Sequence, residues 1–556
     1  METVNIASQI SAMADKMPYK RAVVFPAGRD RAGRVAYTHL TFAQLDRLSG
    51  EYARGLTAVG IGRGCKTLLM VKPSLDFFAL VFALFKAGAV PVMIDPGMGI
   101  DRMLHCIRAS GPEAFIGIPA AHAMRVFRPA FFRSVKHYVT VGRRWFWGGA
   151  TLRRLARRGA GDPLSAARTG EDELAAVLFT TGSTGPAKGV EYTHGMFARQ
   201  CRMIAEIYGV GADDIDLPAF PLFSLFSVGL GMTAVIPDMD ATRPAAVDPR
   251  KIIEAVHNQG CTFSFGSPAL WAKVSQYCAD HGVKLPTLRK VLMAGAPVAA
   301  RTHDNLLNKI LPPGAETHTP YGATESLPVA DMPGAEVLAE TAGLTAQGKG
   351  TCVGRVVAGV ELKIIRYIDA PIADISQIEE LPQGQVGEII VRGANVTRAY
   401  HRLPEATARQ KIKDGDTVWH RIGDLAYLDE KGRIWFCGRA AHRVVTAAGE
   451  MYSVCCEAVF NQVPGVRRSA LVGLGQPPAQ TPAIIIERET PENGRDVAEA
   501  ELRPRLLTAA AANPLTQNIR EFLFHPGFPV DIRHNAKINR EQLAEWAAAQ
   551  VGLPRG

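Results

Sequence analysis

The chain has 556 residues, of which 47% are hydrophobic and 21% charged, and its net charge is +10 at pH 7. This composition excludes a disordered or fibrous protein, and the length predicts two or more domains. The nine cysteines form no C-x-x-C pair and no metal-ligand spacing, which favours reduced thiols in a cytoplasmic protein. We expect no signal peptide, and the longest apolar run, Phe77 to Phe85, is about half of what spans a bilayer.

Helical and strand patterns alternate along two parts of the chain. In the first part the pattern predicts helices at Phe42 to Val59 and Asp76 to Ala87 and strands at Lys66 to Val71 and Val90 to Ile94. In the second it predicts helices at Lys251 to Gln259 and Pro268 to Cys278 and strands at Cys261 to Phe265 and Lys290 to Met293. Such alternation is typical of parallel strands joined by crossover helices. The sequence therefore predicts an α/β fold with mixed and parallel sheets, whose ligand binds at the carboxyl ends of the strands.

Residues 121–160 form a basic and aromatic segment. They contain ten Lys and Arg residues and no Asp or Glu, so the rest of the chain is close to neutral. The interleaved aromatic residues are Phe127, Phe131, Phe132, Trp145, Phe146 and Trp147. A solvated basic face over an aromatic core has this composition, and so do surfaces that contact an anionic membrane, a protein or nucleic acid. We expect the solvated face or a membrane or protein contact, and no nucleic-acid partner.

Residues 178–190 read Leu-Phe-Thr-Thr-Gly-Ser-Thr-Gly-Pro-Ala-Lys-Gly-Val, an apolar strand followed by a loop of hydroxyl residues and glycines. The candidate binding residues of the loop are Thr180, Thr181, Gly182, Ser183, Thr184, Gly185 and Lys188. Glycines let the backbone approach an anion, and the hydroxyl groups and the ammonium can bind phosphate oxygens. A P-loop has Gly directly before its Lys, where this chain has Ala187. The loop is therefore predicted to bind phosphate outside the P-loop class, unless it is an ordinary Ser/Gly turn.

Beyond residue 350 the pattern changes to short strands separated by turn residues, predicted at Val360 to Arg366 and Gly387 to Val391. This change favours a smaller β subdomain. A further apolar strand, Ile434 to Cys437, is followed directly by Gly438 and Arg439. Glycine permits the backbone change that a hinge needs.

Four motifs follow the phosphate loop in order: Tyr321-Gly-Ala-Thr-Glu325, Gly423-Asp424, Gly438-Arg439 and Lys537. In this order they resemble the acyl-adenylate-forming superfamily of acyl-CoA ligases, luciferases and peptide-synthetase adenylation domains. The segments at 41–47 and 85–92 look like the amino-terminal segments of that family, so the resemblance covers nearly the whole chain. It implies an adenylation domain over residues 1–437 and a small, mobile α+β domain over residues 438–556.

The resemblance also implies how the chain would activate a carboxylate with ATP. The loop from Thr180 to Lys188 would hold the β- and γ-phosphates, with Thr184 as a catalytic residue. Glu325 would bind Mg²⁺, a hard cation that prefers carboxylate oxygens. Lys537 would bridge the substrate carboxylate and the α-phosphate in the transition state. His194, shortly after the loop, is either a catalytic or a structural histidine.

The nucleoside would be held by the remaining motifs. By resemblance, Tyr321 stacks on adenine, and Gly322, Ala323 and Thr324 continue that motif. The loop Gly295-Ala296-Pro297 would lie against the base. Asp424 would accept hydrogen bonds from the ribose hydroxyls, and Arg439 would donate to the ribose or to phosphate. Ile422 stands where the family usually has Thr before Gly-Asp, which removes one contact without affecting the carboxylate.

Two segments depart from the acyl-CoA ligases of the family. Ser224 replaces the histidine of the Pro-Leu-Phe-His motif, and the hinge from Gly438 to Gly449 lacks the usual Asp or Lys and Ile-Lys and is one residue longer. With the segments at 264–271, 442–446 and 534–537, these departures resemble the β-lactone synthetases of bacterial long-chain olefin biosynthesis. The resemblance implies that a 2-alkyl-3-hydroxy fatty acid is adenylated and that its β-hydroxyl then expels AMP to form a β-lactone.

Two other functions remain open. A long-chain acyl-CoA ligase would use the same adenylation residues and require CoA. A non-catalytic nucleotide-binding scaffold would have lost Lys537 or Glu325, and the chain keeps both. His194 and Ser224 are candidate bases toward the β-hydroxyl.

The lipid and its partners leave further alternatives. An acyl pocket or a buried helix would explain the apolar residues Phe220, Phe223, Leu225, Phe226, Val228, Leu230 and Met232. The resemblance implies assembly with other enzymes of the olefin pathway. Peripheral membrane contact through residues 121–160 would suit a cytoplasmic enzyme that receives a lipid.

Overall fold

The computed structural model of the protein describes residues 4–161, 164–180, 187–490, 497–530 and 538–552, without the side chain of Thr180. The strands in these ranges are β1 Arg21–Arg29, β2 Val35–Thr41, β3 Lys66–Met70, β4 Val90–Ile94, β5 Ala114–Gly117, β6 His137–Thr140, β7 Ala150–Thr151, β8 Leu174–Thr180, β9 Lys188–Thr193, β10 Ile215–Asp216, β11 Thr233–Val235, β12 Phe263–Gly266, β13 Lys290–Met293, β14 Glu316–Ala323, β15 Ser326–Pro333, β16 Thr351–Val356, β17 Val360–Ile365, β18 Gly387–Gly393, β19 Lys411–Asp414, β20 Thr417–Leu428, β21 Ile434–Arg439, β22 Val444–Thr446, β23 Gly449–Met451, β24 Val466–Leu474, β25 Thr481–Arg488 and β26 Glu521–Phe524. The helices are α1 Ser8–Lys16, α2 Phe42–Thr57, α3 Leu75–Lys86, α4 Ile100–Ser110, α5 Pro119–Phe127, α6 Leu152–Arg158, α7 His194–Tyr208, α8 Ser224–Gly229, α9 Pro249–Gln259, α10 Pro268–His281, α11 Ala300–Asp304, α12 Gly334–Glu336, α13 Ala342–Ala346, α14 Pro404–Gln410, α15 Ser453–Phe460, α16 Glu499–Ala511 and α17 Arg540–Gln550.

The larger sheet has a parallel half and an antiparallel half. Its strands lie in the order β2-β1-β11-β10-β12-β13-β14-β15-β16-β21-β20-β18-β17, with β19 on β20. Strands β1, β11, β10, β12, β13 and β14 pair in parallel. From β14 onward the pairing is antiparallel, because the β14–β15 hairpin reverses the chain. The predicted strands beyond residue 350 belong to this antiparallel half.

The crossover helices are set by local capping signals. Helix α9 begins after Asp248, whose side chain accepts from Arg250 N, and ends before Gly260 in the left-handed conformation. Helix α10 begins after Ser267, whose side chain accepts from Leu270 N, and ends before Gly282 in the same conformation. Such caps satisfy backbone groups that a helix end leaves without partners. The predicted helices and strands of both regions are therefore found within a few residues of their expected bounds.

A second sheet has seven strands in the order β7-β6-β5-β3-β4-β8-β9. Only β9 is antiparallel to its neighbour. Helix α3 connects β3 and β4, and its residues from Phe77 to Lys86 are all buried. A helix that is apolar on every side must be covered on every side. Its cluster includes Val23 of β1 and Ile116 of β5, so α3 packs between the two sheets.

The chain after residue 438 has its own small sheet. Strands β24, β25 and β26 pair with one another, and α15, α16 and α17 pack against them around Leu471, Ile484 and Leu543. Val530 and Ile538 form an isolated β-bridge on either side of residues 531–537. The domain boundary at residues 437 and 438 stays a prediction. Among the described helices, none is both long and apolar enough to cross a membrane.

Lys86 forms a buried ion pair that provides a test of this packing. Its side chain is fully buried, and Nζ donates to the backbone oxygen and to Oδ1 of Asp46, both at 2.7 Å. Asp46→Ala would leave the buried ammonium without its counterion and lower the free energy of unfolding by about 3 kcal/mol. Chemical denaturation measures this change. Arg34→Ala, which breaks an exposed pair with Asp30, is the control and should have little effect; equal losses would contradict the prediction.

Candidate active site

One large cavity lies at the carboxyl ends of the parallel strands of both sheets. Its volume is about 1910 Å³, more than most ligand cavities have. Residues directly after β4, β12 and β13 line it, namely Asp95, Ser267 and Ala294. Its position agrees with the rule for ligand sites in parallel sheets.

Lys188, Glu325 and Tyr400 form the polar end of this cavity. Tyr400 Oη donates to Glu325 Oε1 at 2.7 Å, and Lys188 Nζ lies 5.0 Å from the centre of the Tyr400 ring. Burial lowers the pKa of Lys188, which the nearby Glu325 opposes. Burial and Glu325 together raise the pKa of Tyr400, so the phenol keeps its proton and can donate.

The predicted phosphate loop is the connection between two paired strands. Thr180 ends β8, Lys188 begins β9, and the two residues are register partners. The two ends of the loop therefore lie side by side, and Lys188 at one of them lines the polar end of the cavity. Its residues Thr181, Gly182, Ser183, Thr184 and Gly185 lie outside the described residues.

Glu325 suits a magnesium ligand. Its carboxylate lines the cavity, and within the described ranges only Oε1 takes a hydrogen bond. No group of three or more His, Cys, Asp or Glu side chains that could enclose a metal ion occurs among the described residues. Because Mg²⁺ usually binds through one or two carboxylates together with substrate phosphates, a single carboxylate beside a phosphate loop fits this ion.

Tyr321, Asp424 and Arg439 form a cluster of which Arg439 lines the cavity, while Tyr321 and Asp424 lie behind the lining residues. Asp424 and Arg439 are register partners on β20 and β21, and Arg439 Nε lies 2.9 Å from Asp424 Oδ1. Tyr321 Oη donates to Asp424 Oδ2 at 2.6 Å. The Asp424 carboxylate raises the pKa of Arg439, and burial together with Asp424 raises that of Tyr321. Oδ2 accepts from Tyr321, whereas Oδ1 is buried, faces Arg439 and takes no hydrogen bond within the described residues, so the carboxylate keeps acceptor capacity.

The other predicted nucleoside residues lie at the end of β14, in the turn that follows it and in the loop after β13. Gly322, Ala323, Thr324 and Gly295 line the cavity. Gly295 has φ +98°, a conformation that favours glycine. Ala296 and Pro297 follow it and are not cavity-lining within the described part of the chain.

The sequence analysis missed a cluster that surrounds Tyr400. Arg409 and His420 line the cavity beside it. Lys411 lies behind, buried, and Nζ donates to the backbone oxygen and to Oγ1 of Thr397. Burial and the neighbouring Lys411 hold the pKa of His420 well below its ordinary value. No local pattern marks these residues, because the Tyr400–Glu325 contact joins positions 75 residues apart.

His194 and Ser224 do not line the cavity in the part of the chain that the structure describes. His194 is buried at the start of α7, edge-on to Phe85, and burial lowers its pKa to about 4. Ser224 is buried and its hydroxyl donates to Pro221 O. Both side chains are buried, and a catalytic role for either residue stays a prediction. Lys537 lies outside the described residues.

The other end of the cavity is apolar. Of the predicted acyl-pocket residues, Phe220, Phe223, Leu225 and Phe226 line it, whereas Val228, Leu230 and Met232 pack into the core. Phe223 stacks on Phe265 with ring centres 3.7 Å apart. Further lining comes from residues that the sequence analysis did not name for this role, Phe25, Phe77, Phe82, Phe85, Met93 and Phe197. The stretch 220–232 is therefore divided between the cavity wall and the buried core.

The segment after the predicted hinge closes one side of the cavity. Ala440, Ala441, Arg443 and Val445 line it. Gly438 has φ +138°, and a Cβ atom there would lie 2.5 Å from Ser453 Oγ, so the position requires glycine. His442 Nε2 lies 3.3 Å from a Glu541 carboxylate oxygen of α17, which joins this segment to the helix that follows residues 531–537.

Comparisons with known proteins agree with this geometry. Residues 10–401 match the family described as AMP-binding enzyme. The chain is 48% identical over 556 residues to the olefin beta-lactone synthetase of Stenotrophomonas maltophilia (strain K279a), with 98% of each chain covered. It is 46% identical over 553 residues to the olefin beta-lactone synthetase of Xanthomonas campestris pv. campestris, again with 98% of each covered.

A solved structure supports the fold. The amide bond synthetase McbA from Marinactinospora thermotolerans superposes with a TM-score of 0.77 at 22% identity, over 97% of this chain and 99% of that one. The predicted fold class, an α/β adenylating fold, is confirmed by this likeness.

The buried Lys411 predicts a pH dependence of stability. Burial lowers its pKa to about 7, so above pH 7 the unfolded chain binds a proton that the folded chain has released. Stability must then rise with pH, by about 1.5 kcal/mol between pH 7 and 8.5. Urea unfolding of the protein and of Lys411→Met at both pH values measures the difference. The Met variant should lack this rise, and a rise of equal size in both would contradict the assignment.

Proposed function

The chain belongs to the AMP-binding enzyme family, and we propose that it converts a 2-alkyl-3-hydroxy long-chain fatty acid, with ATP, into a β-lactone, AMP and pyrophosphate. The observation that carries this proposal is a single cavity with a cationic and carboxylate end and a phenylalanine-lined end. The first suits a nucleotide and the second suits alkyl chains. The near full-length similarity to olefin beta-lactone synthetases supports the same reaction.

In the first half-reaction an oxygen of the substrate carboxylate attacks the α-phosphorus, and the bond to the β-phosphate breaks. Two anions must approach each other, so cations must neutralise their charge. We assign Lys188, Thr184 and the rest of the loop from Thr180 to the β- and γ-phosphates, and Lys537 to the carboxylate and α-phosphate. We assign Glu325 to Mg²⁺, which when bound supplies positive charge at the phosphates.

The nucleoside is held by the cluster around Asp424. Its free lone pairs accept the ribose hydroxyls, while Arg439 and Tyr321 keep the carboxylate in place. Tyr321 and the Gly295-Ala296-Pro297 loop are assigned to the adenine ring, with Gly322, Ala323 and Thr324 beside it. The segment from Gly438 onward contacts the same cavity, so rotation at this glycine would move the small domain relative to the nucleotide.

In the second half-reaction the β-hydroxyl attacks the activated carbonyl, its proton is released, and AMP leaves. No second substrate is needed, because nucleophile and carbonyl belong to one molecule. Holding them within attack distance makes the step intramolecular and lowers the barrier by several kcal/mol. In this proposal the two alkyl chains lie among Phe223, Phe226 and Phe265. Their packing excludes water from the acyl-adenylate.

The product distinguishes this reaction from that of an acyl-CoA ligase. The protein is incubated with ATP, Mg²⁺ and a 2-alkyl-3-hydroxy fatty acid, with and without CoA; AMP is quantified and the organic product is identified by NMR. We expect AMP and a β-lactone in equal amounts without CoA. Lys537→Ala should lower the rate about 100-fold or more, since it removes charge at the reacting phosphate.

Lys349, an exposed lysine outside the cavity lining, provides the control for that variant. Lys349→Ala removes a charge elsewhere in the chain and should leave the rate unchanged. Thioester formation that strictly requires CoA would make the chain an acyl-CoA ligase and contradict the proposal.

The Tyr400–Glu325 contact predicts a second result. Tyr400→Phe keeps the ring and removes the hydrogen bond to the carboxylate, so AMP formation should fall about tenfold and require more Mg²⁺. Glu325→Gln should lower it further, because the carboxylate itself is lost. Tyr427→Phe removes a comparable phenol hydrogen bond, to Lys349 O at 2.9 Å, and should have no effect. An unchanged rate and Mg²⁺ requirement in Tyr400→Phe would contradict the role given to this contact.

Assembly with other enzymes that act on the same lipid is a further part of the proposal. A dialkyl lactone is poorly soluble in water, so direct transfer between enzymes would avoid its release. Co-purification of the untagged chain with a tagged enzyme of the same pathway tests this.

A further inference from the structure

The basic and aromatic segment divides into buried and exposed aromatic residues. Phe132 and Trp147 are 3% and 8% exposed and belong to the protein interior. Phe127, Trp145 and Phe146 are 80%, 59% and 78% exposed. Three large apolar side chains are thus exposed to solvent within twenty residues, and packing of the core does not explain their exposure.

The exposed residues lie on two elements that are joined by side-chain contacts. Phe127 ends helix α5, and Trp145 and Phe146 lie on the loop after β6. Trp147 of this loop stacks on His122 of α5 with ring centres 5.4 Å apart. Its indole Nε1 donates to Thr140 Oγ1 at 3.0 Å, and its backbone oxygen accepts from Arg125 Nη2 at 3.1 Å. The loop is therefore fastened to α5, with Trp145 and Phe146 pointing away from the interior.

Positive charge surrounds these aromatic residues. Exposed basic residues of the segment are Arg128, Arg133, Lys136, Arg143, Arg144, Arg153, Arg154, Arg157 and Arg158. The segment contains no Asp or Glu, and in the described part of the chain none of the nine makes a salt bridge. Their charge is thus available to an anionic surface.

Helix α5 also reaches the cavity. Ala120 and Met124 line the cavity wall, and Phe127 lies three residues after Met124. Positions i, i+4 and i+7 share one face of a helix. The helix face that lines the cavity therefore continues to an exposed phenylalanine.

We propose that Phe127, Trp145 and Phe146, with the arginines around them, dock the protein on an anionic lipid bilayer, and that the substrate passes along α5 from that surface into the cavity. This inference rests on the proposed function, because a fatty acid with two alkyl chains partitions into a membrane. Aromatic residues interleaved with arginines match the interface of an anionic bilayer, where rings insert at the headgroup level and guanidinium groups contact phosphates.

Vesicle flotation tests the docking without substrate. The protein is mixed with phosphatidylcholine vesicles that contain either no phosphatidylglycerol or about 30% of it, an anionic lipid. We expect the wild type to float with the anionic vesicles and to be released as salt rises from 0.1 to 0.5 M, on the order of the range in which screening becomes strong. Phe127→Ser/Trp145→Ser/Phe146→Ser and Arg143→Gln/Arg144→Gln should each weaken binding more than about tenfold.

Tyr19→Ser/Arg31→Gln is the matched control. It removes an aromatic residue that is 89% exposed and an exposed arginine outside the segment, and its vesicle binding should equal that of the wild type. AMP release from a short-chain, water-soluble 2-alkyl-3-hydroxy acid should be the same in all three variants. Lactone formation from a long-chain acid supplied in anionic vesicles should fall only in the first two.

The outcomes separate the two proposals. The docking proposal is overturned if the wild type does not bind anionic vesicles. It is also overturned if the aromatic and arginine variants bind them as well as the wild type does. Neither outcome depends on the reaction that the enzyme catalyses. The docking proposal is likewise overturned if the wild type does not bind vesicles and instead binds another protein through these residues. Failure of the proposed function appears separately, as absence of lactone from the short-chain acid in the wild type.

Discussion

The hydrogen bond between Tyr400 and Glu325 is the contact that unites the polar end of the cavity. Glu325 lies at the turn of the β14–β15 hairpin, and Tyr400 lies between β18 and α14. A second bond, from Thr397 N to Glu325 O at 2.8 Å, joins the same two segments. Lys188 adds the third segment, since its ammonium approaches the Tyr400 ring. An ammonium, a carboxylate and a phenol from distant parts of the chain thus meet at one wall of the cavity.

This arrangement requires charged groups to lie partly out of water. Burial lowers the pKa of Lys188, Lys411 and His420, which is the ordinary cost of removing cations from solvent. Glu325 opposes the shift at both lysines. A carboxylate and several basic groups in a confined space form a site whose charge balance an incoming anion and its metal ion would complete.

The other end of the cavity is lined by apolar side chains instead of charged groups. One helix packs against both sheets and also lines this end. Helix α3 is buried on all sides between the sheets, and its Phe77, Phe82 and Phe85 reach the cavity wall. The same residues therefore hold the core together and provide a surface for alkyl chains. His194 packs edge-on against Phe85 of this helix.

The sequence by itself determined the class of the protein. Periodicity predicted the helices and strands of the parallel regions, because their caps and turns are local, as at Asp248 and Gly260. Ordered motifs indicated an adenylating enzyme, because the segments that contain Glu325, Asp424 and Arg439 follow one another in the order of the family that they resemble. Only the tertiary structure decided which of the residues 220–232 face the cavity, and it brought Tyr400, Lys411 and His420 beside Glu325. It also separated the exposed Phe127, Trp145 and Phe146 from the buried Phe132 and Trp147. The physical reason is the same in each case: burial and hydrogen-bond partners depend on contacts between residues far apart in the chain, which no local pattern records.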